Sequence, residues 1–213
     1  RIEHLTVSLP PGADRPYAVE DLSLELHQGE LLCLIGESGS GKSVTAQAIL
    51  QLLPPELRVT QGHIWHEERN LLTLPPAEME QLAGRHISMV FQEPGSTLNP
   101  IFRVGDQIEE ALRIHTSMSS AQRKARVIDL LTEVLLPDPP RLALAYPHQL
   151  SGGQAQRAMI AMALALNPGV LIADEPTTAL DVTSQAQILK LLSDLRRVHN
   201  TGILFITHDF GVV

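Results

Sequence analysis

The chain is 213 residues long, 44% hydrophobic and 19% charged, with a formal net charge of −8 and only 3% aromatic residues. Such a chain forms one globular domain, or one domain with a subdomain, around a substantial core. An acidic balance without a long basic block, and few aromatics to stack on bases, argue against a nucleic-acid surface.

Ile2, Leu5, Val7 and Leu9 predict a strand ending at Pro10-Pro11-Gly12. Val19 to Leu26 predicts a second, with Leu22, Leu24 and Leu26 on one face, so that an antiparallel sheet flanks the glycine-rich stretch downstream. His27-Gln28-Gly29-Glu30 turns into Leu31 to Ile35, a short apolar run that reads as a buried strand. Its Cys33 is the sole cysteine and reads as a buried structural thiol; no intrachain disulfide can form, which suits a reducing compartment.

Gly36-Glu37-Ser38-Gly39-Ser40-Gly41-Lys42-Ser43 then fits G-x-x-x-x-G-K-[ST] at every fixed position. Val44 to Leu53 lacks Gly and Pro and predicts a helix that stops before Pro54-Pro55. The motif therefore lies between strand and helix, the context it needs. Glycines let successive N–H groups close around an anion, and the helix N-terminus, through Val44, adds its positive dipole end. Lys42 is expected to reach the β- and γ-phosphates of a nucleotide, and the Ser43 hydroxyl to ligate Mg²⁺. The alternative is a glycine-rich turn that binds nothing.

Gln61 to Trp65 predicts a short strand, Pro75-Pro76 a helix start, and His86 to Phe91 a β-prone run ending in Gln92. His63 and His66 flank Trp65 and read as surface or turn histidines rather than metal ligands. From Glu93 the character changes. Glu93-Pro94-Gly95 and Asn99-Pro100 break the sheet pattern, and Val104 to Ile114 is helical. Ser119 to Leu136 predicts a longer helix with capping-box spacing at Ser119 and Gln122 and an apolar stripe of Val127, Leu130, Leu131, Val134 and Leu135; Pro137, Pro139 and Pro140 end it. The simplest arrangement is a helical insert, 93–150, between two parts of an α/β core, 1–92 and 151–213; the alternative is one continuous α/β core.

Gln154 to Leu166 predicts another helix. Its apolar part, from Ala158, is far shorter than the ~18–20 residues of a spanning helix, so membrane association is expected to be peripheral and through a partner. Strand 170–173, helix Thr183 to Val198 and strand Ile203 to Thr207 imply parallel strands with crossover helices. Arg1 in place of Met, and an end at Val213 after an apolar strand, read as an excerpt of a longer protein.

Two further stretches carry chemistry. Val170-Leu171-Ile172-Ala173 delivers Asp174 and Glu175 to a strand's C-terminal end, where ligands bind in open α/β sheets. Asp174 is expected to hold Mg²⁺ and Glu175 to polarise a water attacking the γ-phosphate. Leu150-Ser151-Gly152-Gly153-Gln154 has capping-box spacing and opens a helix on glycines. It is either an ordinary helix start or a second anion site, which makes sense if it serves a nucleotide held by another copy.

These motifs together resemble the nucleotide-binding subunits of ATP-binding-cassette transporters. The resemblance implies a P-loop NTPase core with a parallel sheet, an N-terminal antiparallel β-subdomain and an inserted α-helical subdomain. It identifies Ser151, Gly152, Gly153 and Gln154 with the signature motif that contacts ATP across a head-to-tail dimer, and Ala179-Leu180-Asp181 with the D-loop, Asp181 at the dimer interface. Gln92 is similar to the Q-loop glutamine at the γ-phosphate and Mg²⁺, and His208 to the switch histidine on the γ-phosphate. The Gln92-Glu93-Pro94, Leu98-Asn99-Pro100, Tyr146 to Leu150 and Ile172 to Thr183 segments are closest to the dipeptide/oligopeptide/nickel importer group. That implies ATP hydrolysis energising uptake of peptides, or of nickel or a related small solute, a second identical or different ATPase subunit, two integral-membrane permease subunits, an indirect extracytoplasmic solute-binding protein, and a peripheral place on the cytoplasmic face of the cell membrane. The rival readings are a soluble cassette ATPase acting on ribosomes or DNA, and a nucleotide-gated module without turnover. Tyr17 is the candidate adenine-stacking aromatic, though the irregular loop Pro10 to Pro16 points to core or turn packing.

Overall fold

The computed structural model describes residues 1–178, 180–209 and 211, the side chains of Pro94 and Ser96 excepted. Ala179, first residue of the expected D-loop, lies outside the described residues. β1 (Ile2–Ser8) and β2 (Tyr17–Leu24) pair antiparallel, with Leu5 opposite Leu22 and Val7 opposite Val19. β3 (Leu31–Ile35) leads through the glycine loop into α1 (Lys42–Ile49). β4 (Arg58–His66) returns antiparallel beside β1, and β5 (Arg69–Asn70) folds back on it, giving a first sheet ordered β2-β1-β4-β5. After α2 (Pro76–Leu82), β6 (Ile87–Val90) enters a second sheet. A helical stretch comes next: α3 (Pro94–Thr97), α4 (Val104–His115), α5 (Ser120–Glu133), α6 (Pro139–Ala143) and α7 (Gly152–Ala163). β7 (Val170–Asp174), α8 (Val182–His199) and β8 (Gly202–Thr207) complete the parallel sheet, ordered β3-β8-β7-β6.

The period-two alternation of the parallel strands divides the core in two. Leu171, Ala173, Ile203 and Phe205 face α4, α5, α7 and α8, packing on Ile108, Leu130, Met159 and Leu192. Ile172, Leu204 and Ile206 face the other way, onto Ala46 and Ile49 of α1 and onto Leu5, Val7 and Ile64 of the antiparallel sheet. Thus α1 and its glycine loop sit between the two sheets. Among the described residues no helix is long and apolar enough to cross a membrane.

Four expectations need correction. α1 ends at Ile49 rather than Leu53, because Gln51 takes a left-handed conformation (φ 55°). The Gln51 N–H then donates to Ala48 O at 3.2 Å and the Leu52 N–H to Gln47 O at 2.8 Å. These two bonds make a Schellman motif. α5 stops before Pro137 by the same device, with Leu135 at φ 57° and bonds from Leu135 N to Thr132 O and Leu136 N to Leu131 O. Pro139 opens α6 instead of merely ending α5, since proline suits a first helical position. Cys33 is only half-buried, because β3 has one neighbouring strand among the described residues; burial still pushes its thiol pKa up.

Candidate functional site

The glycine loop is folded tightly with its lysine inside. Lys42 is 6% exposed; its ammonium donates to Gly36 O at 2.7 Å and Glu37 O at 2.8 Å and lies 3.4 Å from Ser40 Oγ. The Ser40 N–H closes a turn on Glu37 O at 3.2 Å, with Ser38 and Gly39 at its centre. Gly39 (φ 78°) and Gly41 (φ 91°) occupy the left-handed region that favours glycine. At Gly41 space is also lacking: a Cβ there would lie 2.2 Å from the Ala18 carbonyl and 2.9 Å from Val19 Cγ2. The loop therefore packs directly on β2. Thr45 holds α1 to it, its N–H and its hydroxyl donating to Gly41 O at 2.9 and 3.0 Å. The first-turn N–H groups of Lys42, Ser43 and Val44 precede that first helical bond, while the Val44 side chain packs on the core. Gly41→Ala combines backbone strain with a clash; it is expected to destabilise the protein by at least about 2 kcal/mol, or about 4–8 °C in Tm. Gly39→Ala, whose Cβ would meet open space, should shift a thermal melt clearly less. Equal shifts would refute the close packing on β2.

β7 brings the two carboxylates to this loop. The Ser43 hydroxyl donates to Asp174 Oδ1 at 3.1 Å, joining the two expected cation ligands. Burial pushes the Asp174 carboxyl above its ordinary range; the Ser43 hydrogen bond opposes this, the neighbouring Glu175 charge adds to it, and the Lys42 charge opposes it. Glu175 stands at a left-handed φ of 48°, its N–H tied to Ile206 O at 2.9 Å. For a residue with a Cβ that conformation costs roughly 1–2 kcal/mol, strain of the kind that collects at functional sites. Both oxygens of its carboxylate have polar neighbours. Gln92 Nε2 and the Thr178 hydroxyl donate to Oε2 at 3.0 and 3.1 Å, and His208 Nδ1 is 3.0 Å from Oε1. The His208–Glu175 contact is an ion pair only when the imidazole is protonated. Gln92 and His208, far apart in the sequence from each other and from Glu175, are thus brought to one carboxylate.

The Ser151 helix lies elsewhere. Ser151 caps α7 with a full capping box: Gln154 N donates to Ser151 Oγ at 3.3 Å and Ser151 N to Gln154 Oε1 at 3.0 Å. Asp181 caps α8, accepting from the Ser184 N–H at 3.0 Å and the Ser184 hydroxyl at 2.7 Å. Those bonds, the hydroxyl first, hold its carboxyl below its ordinary range. Ser151, Gly152, Gly153, Gln154 and Asp181 line one cleft of about 320 Å³. The glycine loop opens on another of about 410 Å³, and the two share no lining residue. Tyr17 lines the glycine-loop cleft, 37% exposed rather than packed in the core. Its neighbour Arg15, which nothing in the sequence singled out, donates to the Gly39 carbonyl. His63 lies 3.1 Å from Asn70 Nδ2, and His66 packs near His86 with burial pushing its imidazole pKa down.

A glycine-built anion cradle around a buried lysine, a hydroxyl–carboxylate pair for a hard cation and a strained carboxylate that accepts two hydrogen bonds can hold a polyphosphate and a divalent ion and position a water. The chain is 49% identical over its full length to the peptidoglycan transport ATP-binding protein YejF of Agrobacterium fabrum. It is 47% identical, again over its full length, to the oligopeptide transport ATP-binding protein OppD of Bacillus subtilis. It spans 39% and 60% of the length of these two relatives. Its structure superposes with a TM-score of 0.86 on the ATP-binding cassette MJ0796, solved as a dimer in a post-hydrolysis state with ADP and Pi; the match covers 99% of this chain and 88% of that one at 31% identity. Residues 19–178, from the strand under the glycine loop to the Thr178 hydroxyl on Glu175, match the family model described as ABC transporter, and the chain belongs to that family.

Proposed function

We propose that this chain is the ATP-hydrolysing module of an importer of peptides, working beneath partner membrane subunits on the cytoplasmic face of the membrane. The observation that carries the reading is the convergence of Gln92, Thr178 and His208 on Glu175, next to the Ser43–Asp174 pair and Lys42. The residues from Gly36 to Val44 would cradle the triphosphate, and Tyr17 would stack on adenine beside them. The donor set fits Mg²⁺, a hard cation that takes oxygen ligands: Ser43, Asp174 and Gln92 would hold it. Bound there, Mg²⁺ neutralises charge on the phosphate oxygens. Lys42 leaves its loop carbonyls for the β- and γ-phosphates. Gln92 and His208 turn to the γ-phosphate, which frees Glu175 to take a proton from the attacking water. Residues 1–92 and 151–213 would form the nucleotide-binding core, and 93–150 the lever that passes closure to the permease subunits.

The second half-site would come from another copy. Neither Gly152 nor Gly153 has a positive φ, and a Cβ on either would meet only ordinary contacts, Leu180 and Ser184 at 3.7 Å. The chain's own packing thus gives no reason for two glycines in a helix, which cost roughly 0.5–1 kcal/mol each. A phosphate approaching from outside does. Ser151→Arg is accordingly expected to leave ATP binding to the monomer unchanged while lowering steady-state phosphate release by at least about tenfold, since a bulky cation blocks closure. Loss of monomer binding in that variant would contradict a site shared between two subunits. Copurification with integral-membrane subunits and ATP-dependent peptide uptake by the reconstituted complex test the wider reading; ATP turnover without either would return it to a cassette ATPase of another kind.

A further inference from the structure

Three polar groups converge on the Glu175 carboxylate, and they are not equivalent. Gln92 is exposed and comes from the segment after β6, and the His208 side chain is 48% exposed beyond the end of β8. Both are free to leave. Thr178 is not. Its N–H donates to the Glu175 carbonyl at 3.1 Å, so hydroxyl and carboxylate belong to one four-residue turn. Pro176 fixes a φ angle inside that turn. Thr177 is 4% exposed, and its carbonyl accepts from Gln185 Nε2 of α8 at 3.3 Å and from the Leu180 N–H at 3.2 Å. The turn is therefore anchored to α8 independently of anything bound at the glycine loop.

We propose that Thr178 is the positioning residue for the Glu175 carboxylate. Its hydroxyl, 3.1 Å from Oε2, holds that oxygen in place after Gln92 and His208 have turned away, and so presents Oε1 to the attacking water. This rests on the reading of Glu175 as the group that activates water. A glutamate side chain without that restraint is free to rotate about its last torsion, and a general base that spends most of its time misdirected loses rate without losing substrate.

The test uses the full-length protein and compares Thr178→Val, which keeps the shape and removes the hydroxyl, with Thr178→Ser, which keeps the hydroxyl. Thr178→Val is expected to lower kcat for ATP about tenfold with KM for ATP within about twofold, and Thr178→Ser to recover most of the loss. The double variant with Glu175→Gln should be no slower than Glu175→Gln alone, since Thr178 acts through that carboxylate. Wild-type kcat in Thr178→Val, a Thr178→Ser variant as slow as the valine, or a KM that rises as kcat falls would each overturn the proposal. If Glu175→Gln itself turns over like wild type, the reading of Glu175 fails first. If that variant is inactive while Thr178→Val is unimpaired, only the role of Thr178 fails.

Discussion

Glu175→Gln is expected to bind ATP normally, to release phosphate at least about a hundredfold more slowly than wild type, and to accumulate as a closed dimer. The physical reason is that the substitution removes the base and almost nothing else. The amide has the same shape and tolerates the same left-handed backbone at φ 48°. Its oxygen still accepts from one of the donors now on the carboxylate, and the Thr178 hydroxyl can reverse to accept from the new NH₂. The Ser43–Asp174 pair and Lys42 are untouched. With binding intact and hydrolysis stopped, the dimer loses the step that lets it open. Size-exclusion chromatography with ATP and magnesium, beside a phosphate-release assay, measures both effects. Normal turnover in this variant would mean that another group serves as base.

Lys42→Ala should fail one step earlier. The ammonium lies buried against Gly36 O and Glu37 O, poised beside the cradle rather than in solvent. Removing it deletes the positive charge meant for the β- and γ-phosphates and leaves two carbonyls without that donor. A hydrogen bond to a charged group contributes about 1.5–3 kcal/mol, so ATP affinity should fall by at least about tenfold, and turnover to background. The fold should survive, since the loop remains pinned by Thr45 on Gly41 and by its packing on β2. Circular dichroism and calorimetric titration with ATP separate the two effects. Wild-type hydrolysis would refute the role given to Lys42.

The sequence alone was enough for the local elements and for the chemistry that rests on contiguous residues. The run Leu31 to Ile35, the glycine loop through Ser43, the acids ending β7 and the capping boxes at Ser119 and Ser151 each lie within a few residues, where spacing dictates geometry. Helix ends were less legible. Gln51 and Leu135 adopt a left-handed conformation usually left to glycine, and the hydrogen bonds that compensate them form only in the folded chain. The half-exposure of Cys33 was hidden too, because burial depends on how many strands flank β3 and not on how apolar β3 is. Above all, contact between distant segments was beyond spacing: nothing local in Gln92 or Arg15 says that one bonds the Glu175 carboxylate and the other the Gly39 carbonyl. The first forms because β6 and β7 lie side by side in the parallel sheet, the second because β2 packs on the glycine loop, so the sequence determined which groups carry the chemistry, and only the tertiary structure decided which of them touch.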